Sequence, residues 1–401
     1  MILSRKRLPL MNVLCVGVFA YLIQACTPAA REAEDNVVWP GESWAVSTPA
    51  AEGVEASVLD SIHNDILVGK YGLIDEFLVI KNGKVIADHS YNQKYDSIAA
   101  HYDTTNHMFN YDHPEWHPYY KRSKLHSLQS VTKSITAVAL GIAIDEEHLA
   151  GTEIKPMEMF TDYEVDMSDP RRVDMTLEDM LTMRSGIDWN EMTSYNDEEN
   201  SCIIMEGSDN WVQYVLSRPM REEPGTVWDY NSGVSVLLGK LVSMSTGQRV
   251  DHWTAEKLFK PIGIQDYFWK TTPDNEVDTE GGLYLSSHDL ARVGYLFLRN
   301  GKWGDQQIIS ESYVQRSVSP VVPDITPDSD ERNSGYGFQW WVPSSEPRIF
   351  AGNGYGGQFL MVAPQYDLIV VFNGWDIHDN ERELQSWRAI TDRIIPSLNS
   401  K

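Results

Sequence analysis

Eleven consecutive residues, Ser134 to Ile144, carry no charge, and Lys133 stands immediately before them. Such a stretch has no polar face to offer water, so as a helix it must be surrounded by protein. Ser130 lies one helical turn ahead of Lys133, and residues three apart share a helix face. The first turn directs backbone N–H groups and a positive dipole toward that serine, which favours negative charge there. A serine hydroxyl needs a base before it attacks anything. Lysine in water, with a pKa of about 10.4, is a poor one. Burial disfavours the ammonium and lowers that value by up to several units, so the expectation is a partly desolvated amine that takes the serine proton. A lysine that merely snorkels from a helix end leaves the same spacing, and the pair by itself leaves both readings open.

β-Prone segments lie at the two ends of the chain. "FLVIKNGKVIADHS", residues 77 to 90, has two such runs around Asn82-Gly83, a strong hairpin signal. A helix with Val58, Leu59, Ile62 and Ile66 on one side precedes it. Near the other end, 336–342, 358–364 and 367–374 read as strands, and a helix over about 380–395 follows. Between them the chain is mostly helical. One helix is expected over 173–189, capped by Thr176 and stopped by Gly186, and another from Val234 to Thr246. These patterns predict an α+β fold: an antiparallel sheet built from both chain ends, flanked by terminal helices, with a mostly helical inserted subdomain. The Tyr- and His-rich stretch 91–126 has no metal-ligand spacing, and no metal is expected there.

The first residues are set apart from the fold. Arg5, Lys6 and Arg7 precede an apolar run, Leu8 to Ile23, which reads as an export signal over 1–25. Leu22 to Cys26 resembles a bacterial lipoprotein cleavage site, with Cys26 as the lipidated residue. A plain secretory signal is the alternative. The expectation is an exported, periplasmic protein anchored by lipid to the outer membrane, with a tether over 26–54 and a domain over 55–398. Within that domain the α/β part covers about 55–125 and 282–398, and the helical part about 126–281. Of three cysteines only Cys202 lies beyond these leader positions, so no disulfide framework is expected. The net charge of −25 becomes more negative once the three basic leader residues are gone. That disfavours nucleic acid and anionic membrane surfaces as partners.

Two further segments bear on chemistry. "PGTVWDYNSG", residues 224 to 233, puts Tyr230 and Ser232 in a turn before an apolar helix. That tyrosine either relays a proton or packs the helix–loop junction. "GNGYGG", residues 352 to 357, brings four glycines together before a strand, as close backbone approach requires. An N–H from that strand and the N–H of Ser130 would make a pair of oxyanion donors. A glycine-rich hairpin with no guest is the other reading. The segment lacks the ending of a phosphate loop.

With "SVTKS", "TLEDMLTMRSGIDW", "PGTVWDYNSG", "EGGLYLSSHDLARVG" and "GNGYGGQFLMVAP" in this order, the chain resembles the serine β-lactamase-related family. That family holds class C β-lactamases, D-alanyl-D-alanine carboxypeptidases, esterases and 6-aminohexanoate-dimer hydrolases. The resemblance implies a β-lactamase/transpeptidase-like fold and an acyl-enzyme mechanism without cofactor. It assigns the nucleophile to Ser130, its base to Lys133, the catalytic tyrosine to Tyr230, and the oxyanion hole to the N–H groups of Ser130 and Tyr355. Two departures stand out. Ser232 occupies the third position of the family's Tyr-x-Asn motif, where its hydroxyl is expected to reach Lys133. Gly352-Asn353-Gly354 matches a triplet that usually begins with Lys or His, a cation that helps to hold a substrate carboxylate. The reading is therefore a serine hydrolase of small amides or esters. β-Lactamase or carboxypeptidase activity, or a non-catalytic binding role, are the alternatives. Tyr119, Tyr120, Arg348, Trp375 and the acidic loop 196–200 are the expected pocket residues, with Arg348 able to replace the missing cation.

Overall fold

The β-prone segments from the two ends of the chain meet in one sheet. In the computed structural model, described over residues 37–94, 97–98, 100, 124–195, 197–325, 334–375 and 380–398, the first strands are β1 (Ala45–Val46), β2 (Ile74–Lys81) and β3 (Lys84–Ser90). Asn82 and Gly83 both take positive φ, 53° and 73°, the geometry of a type I′ turn whose twist suits a hairpin. Short strands β4 (His126–Ser127), β5 (Phe268–Trp269) and β6 (Leu283–Leu285) form a small second sheet, and β7 (Lys302–Trp303) and β8 (Gln306–Gln307) a ribbon. β9 (Phe350–Gly354), β10 (Gln358–Ala363) and β11 (Leu368–Gly374) complete the large sheet in the order β1-β3-β2-β11-β10-β9. The pairings are antiparallel except β1 with β3. β11 is buried along its whole length, as a central strand must be.

One face of this sheet carries the helix Ala56–Leu67, which buries Leu59, Ile62 and Ile66, and the terminal turns through Ala389 and Ile390. The other face receives the helix Ser287–Leu298. There Gly294 lets the backbone sit against Leu360 and Val362. Val131 to Ala143 of the uncharged helix, Val131–Asp145, are all buried. Its polar members are satisfied: Thr132 Oγ1 accepts from Leu283 N at 3.2 Å, Ser134 Oγ donates to Gln339 O at 2.6 Å, and Thr136 Oγ1 donates to Thr279 O at 2.9 Å. Buried hydroxyls persist only when bonded in this way.

Several expectations are corrected. Residues 336–342 form a buried tight turn held by isolated bridges. Gln339 stands at φ 59°, and its side chain bonds Ser235, Met180 and Leu181, so a strand cannot run through it. The Thr176-capped helix covers only Leu177–Leu181, and the chain turns at Met183, φ 57°, before Gly186 is reached. From Val38 onward, the segment read as tether packs on the domain. Tyr295 OH donates to Val38 O at 2.8 Å, Arg292 donates to the carbonyls of Gly41 and Glu42, and Trp44 donates to His288 O. Its tryptophans rest on Tyr295, and Val38–Lys401 forms one unit. The leader, Cys26, Tyr119 and Tyr120 lie outside the described residues. Among the described residues no helix is long and apolar enough to cross a membrane.

Candidate active site

Ser130 stands at the N-cap of the uncharged helix, half-buried, after Gln129 at φ 47°. The approach to it is pinned from β6, where Leu128 N donates to Leu283 O at 2.9 Å. Lys133, fully buried one turn on, directs Nζ to Ser130 Oγ at 2.8 Å. Tyr230 closes the group. Its ring centroid is 5.3 Å from Lys133 Nζ, and its hydroxyl bonds Ser130. Behind it, Tyr230 stacks on Trp341 at 5.8 Å, and Trp228 and Tyr336 continue an aromatic wall. Asp229 N donates to Met183 O at 2.8 Å, so the early turn at Met183 is what anchors the tyrosine loop.

The lysine does not stand alone, and this corrects the expectation of a neutral amine. Nζ also donates to Glu280 Oε2 at 2.7 Å and to Glu280 O at 2.9 Å. Burial does push the ammonium pKa down, but nearby carboxylates, Glu280 first, outweigh it and hold Lys133 well above its usual range. Glu280, which burial alone would raise, is held at about 2 by Lys133. Glu191 is raised by burial, partly offset by Lys133. Burial also raises the Tyr230 phenol, against the pull of Lys133. The result is an ammonium–carboxylate pair beside a neutral phenol.

Ser232 is placed differently from its expected role. Its Oγ donates to Glu191 Oε1 at 2.5 Å and its N–H to Oε2 at 2.8 Å, while Asn231 caps the helix Ser232–Thr246. Glu191 also accepts from Trp189 Nε1 at 2.7 Å and Tyr195 OH at 3.2 Å. It therefore ties the 189–195 loop to the tyrosine loop. Neither Glu280 nor Glu191 stood out in the sequence. The available signal was a glutamate directly before Gly281-Gly282 and a buried strand, and another directly after a Trp-Asn pair.

The glycine segment is a hairpin at the sheet edge, its turn made by Tyr355, Gly356 and Gly357. A Cβ on Gly354 would lie 2.3 Å from Leu128 O, and one on Gly352 2.8 Å from Val131 Cγ1. The strand thus presses against the Ser130 turn, and Tyr355 follows at that contact. Gly354→Ala is expected to cost about 1–3 kcal/mol through overpacking and to slow labelling of Ser130, measured by thermal unfolding and by a fluorophosphonate probe. Arg348 is exposed beyond the far end of β9. Trp375 is buried, bonded to Asp75 and packed on His126 at 4.2 Å. From the acidic loop it is the preceding Tyr195 that reaches the glycine hairpin, packing on Tyr355 at 5.0 Å. Buried Asn200 caps the next helix. Cys202, Glu206 and Glu280 bring a thiol and two carboxylates within 4.8 Å of one another. Of these, Glu280 already accepts from Lys133, and burial raises the Cys202 thiol.

A buried Ser-x-x-Lys pair with a tyrosine against it, on a sheet assembled from both chain ends with helices inserted, defines the β-lactamase/transpeptidase-like class. Residues 75–390 match the Beta-lactamase family, and the chain belongs to it. Among its relatives is the 6-aminohexanoate-dimer hydrolase of Paenarthrobacter ureafaciens, 24% identical over 286 residues, 67% of this chain and 70% of the relative. Similar solved structures include EstCE1, a hydrolase with promiscuous acyltransferase activity, with a TM-score of 0.63 and 14% identity over 85% of this chain and 99% of the other. The octameric penicillin-binding protein homologue of Pyrococcus abyssi gives 0.59 and 17% over 84% and 77%. The family thus includes hydrolases of amides and esters.

Proposed function

We propose that this protein is a serine hydrolase of small, uncharged amides or esters, working through an acyl-enzyme. The observation that carries the reading is the 2.8 Å contact between Ser130 Oγ and Lys133 Nζ with Tyr230 against both. Ser130, relieved of its proton toward Lys133, attacks the carbonyl. The N–H groups of Ser130 and Tyr355 receive the oxyanion, the largest stabilising contribution in many acyl transfers. Tyr230, a neutral phenol recharged by Lys133, protonates the leaving group. Water then repeats the sequence in reverse and frees the acid. The preference for uncharged substrates is supported by Gly352, which brings no cation to the head of the triplet and where any side chain meets Val131. The aromatic wall of Trp228, Tyr336 and Trp341 suits an apolar substituent.

Intact-protein mass spectrometry after exposure to p-nitrophenyl esters, small linear amides and a chromogenic cephalosporin tests this. The expected result is an acyl adduct and turnover with esters or amides. Rapid turnover of the cephalosporin alone overturns the substrate assignment, and no adduct with any donor overturns the reaction. Export and lipid attachment at Cys26 belong to the same proposal, supported by the leader pattern. Metabolic palmitate labelling that is lost in Cys26→Ser tests them.

A further inference from the structure

We propose that Lys133 and Glu280 act as one proton-holding unit, in which Glu280 receives a proton through Lys133 each time Ser130 is deprotonated. This rests on the hydrolase reading above and deepens it. The geometry is continuous: Ser130 Oγ to Lys133 Nζ is 2.8 Å, and Nζ to Glu280 Oε2 is 2.7 Å, with lysine and glutamate both buried. An ammonium has no lone pair to accept the serine proton, so Lys133 must release one N–H as it gains another. The serine O–H breaks and an N–H forms on Lys133. A second N–H of Lys133 breaks and an O–H forms on Glu280 Oε2. The Oγ electron pair makes the bond to the carbonyl carbon. Lys133 is an ammonium before and after, and the positive charge that the pair gains with the proton is matched by the oxyanion that forms beside it, so the site as a whole stays balanced in a low-dielectric interior. The proton returns by the same route to Tyr230 and the leaving group. Glu280 touches no reacting atom. It is a positioning residue that acts through Lys133.

The fold fixes this carboxylate from three sides. Thr279 Oγ1 donates to Ser235 O at 2.9 Å, Thr279 O accepts from Thr136, and Asp278 Oδ1 accepts from the N–H groups of Glu280 and Gly281 at 3.2 and 3.0 Å. Gly239 lets Thr279 approach, since a Cβ there would lie 2.3 Å away. The charged and titratable groups facing the pair are Tyr230 and Glu191 on the lysine side, and Glu206, Cys202, Asp278, Lys270 and, farther out, Tyr195 around the carboxylate. Glu191 is saturated by donors from Ser232, Trp189 and Tyr195, and so is not an equivalent acceptor.

The test is the rate of fluorophosphonate labelling at Ser130 from about pH 5.5 to 9, in the wild-type protein, Glu280→Gln and Glu280→Asp. Glutamine keeps the shape and accepts no proton, so only a neutral Lys133 amine can serve as base. The Gln-to-wild-type rate ratio is expected to be about 100-fold down at the acid end, within the range of general base catalysis, and to climb with pH as that amine appears. Aspartate restores an acceptor, and its ratio is expected to stay level. A level ratio for Gln, whatever its size, overturns the proposal and assigns Glu280 to packing. A climbing ratio for Asp overturns it as well. Urea unfolding of the same proteins reports the ion pair without reference to turnover. The stability difference between wild type and Gln is expected to shrink as pH falls from about 4.5 toward 2, and a constant difference removes the pairing. If wild-type protein takes no label at any pH, the hydrolase reading fails and the relay with it. Labelling with parallel profiles removes the relay alone.

Discussion

Ser130→Ala is expected to abolish fluorophosphonate labelling and to lower ester turnover by roughly 1,000-fold or more, with little change in melting temperature. The nucleophile has no substitute: the nearest other hydroxyl, Tyr230, is held protonated by burial, and removing an attacking group eliminates the covalent route rather than weakening it. Folding has little at stake at this atom. Ser130 is half-buried at a helix start, its side chain caps no helix N–H, and Lys133 keeps both bonds to Glu280 when the hydroxyl is gone. Stopped assays with p-nitrophenyl butyrate and thermal scans on the same samples separate the two effects. Unchanged turnover would place the chemistry elsewhere in the molecule.

Lys133→Met is expected to lose activity to a similar degree and, unlike the serine variant, to cost the fold about 3–5 kcal/mol at neutral pH. Methionine matches the lysine stem in length, but it leaves Glu280 ionised in a dry site, and stranding one member of a buried ion pair has this size of penalty. The pH dependence gives the mechanism away. In the wild-type protein Glu280 titrates at about 2, below its ordinary 4.5, so it contributes stability above 4.5 that disappears as pH falls through 2. Lys133 is raised above its ordinary 10.5, so its contribution is complete below 10.5 and is lost only as pH climbs past its folded value. In the methionine variant burial acts on Glu280 with only the Glu206 bond and the Lys270 charge left against it, and is expected to lift it above 4.5. Its contribution then favours acid and fades as pH rises. The gap between the two proteins therefore widens from about pH 4 to 7. Urea titrations at pH 5 and 8 measure it, and equal stability at pH 8 contradicts the burial of an unpaired charge.

What the sequence disclosed about the site follows from how local each feature is. Ser130 and Lys133 are one turn apart on one helix, Tyr230 sits in a turn marked by Pro224 and Gly225, and the glycines of 352–357 announce close backbone contact. Each is legible without knowing what faces it. Glu280 is the contrary case. It is 147 positions from Lys133, and its role depends on β6 being sewn to the Ser130 turn, which no periodicity reveals. The counter-ion of the lysine is illegible for that reason alone, because desolvation can be read from an apolar run and a distant carboxylate cannot. The fold was legible in its two ends. The hairpin at Asn82-Gly83 and the strands β10 and β11 fall where the patterns put them. The stretch 336–342 misled because an apolar run suits a strand and a buried turn equally, and Gln339, bonded into the end of the helix Leu177–Leu181, decides between them. Residues 26–54 read as a tether by their Ala, Pro and Glu content, yet Trp39 and Trp44 find Tyr295 on the helix Ser287–Leu298, far along the chain.

The strand β2 lies between β3, its hairpin neighbour, and β11, which is made from nearly the last segment of the chain. During synthesis the hairpin leaves the ribosome first and then waits, one apolar edge uncovered, until Leu368–Gly374 has followed it. A transcript that stops before Leu368 would yield a polypeptide able to form every helix of the insertion and unable to close its sheet. Exposed strand edges recruit other chains, so such truncated products are destined for inclusion bodies or proteases rather than for a partly active enzyme.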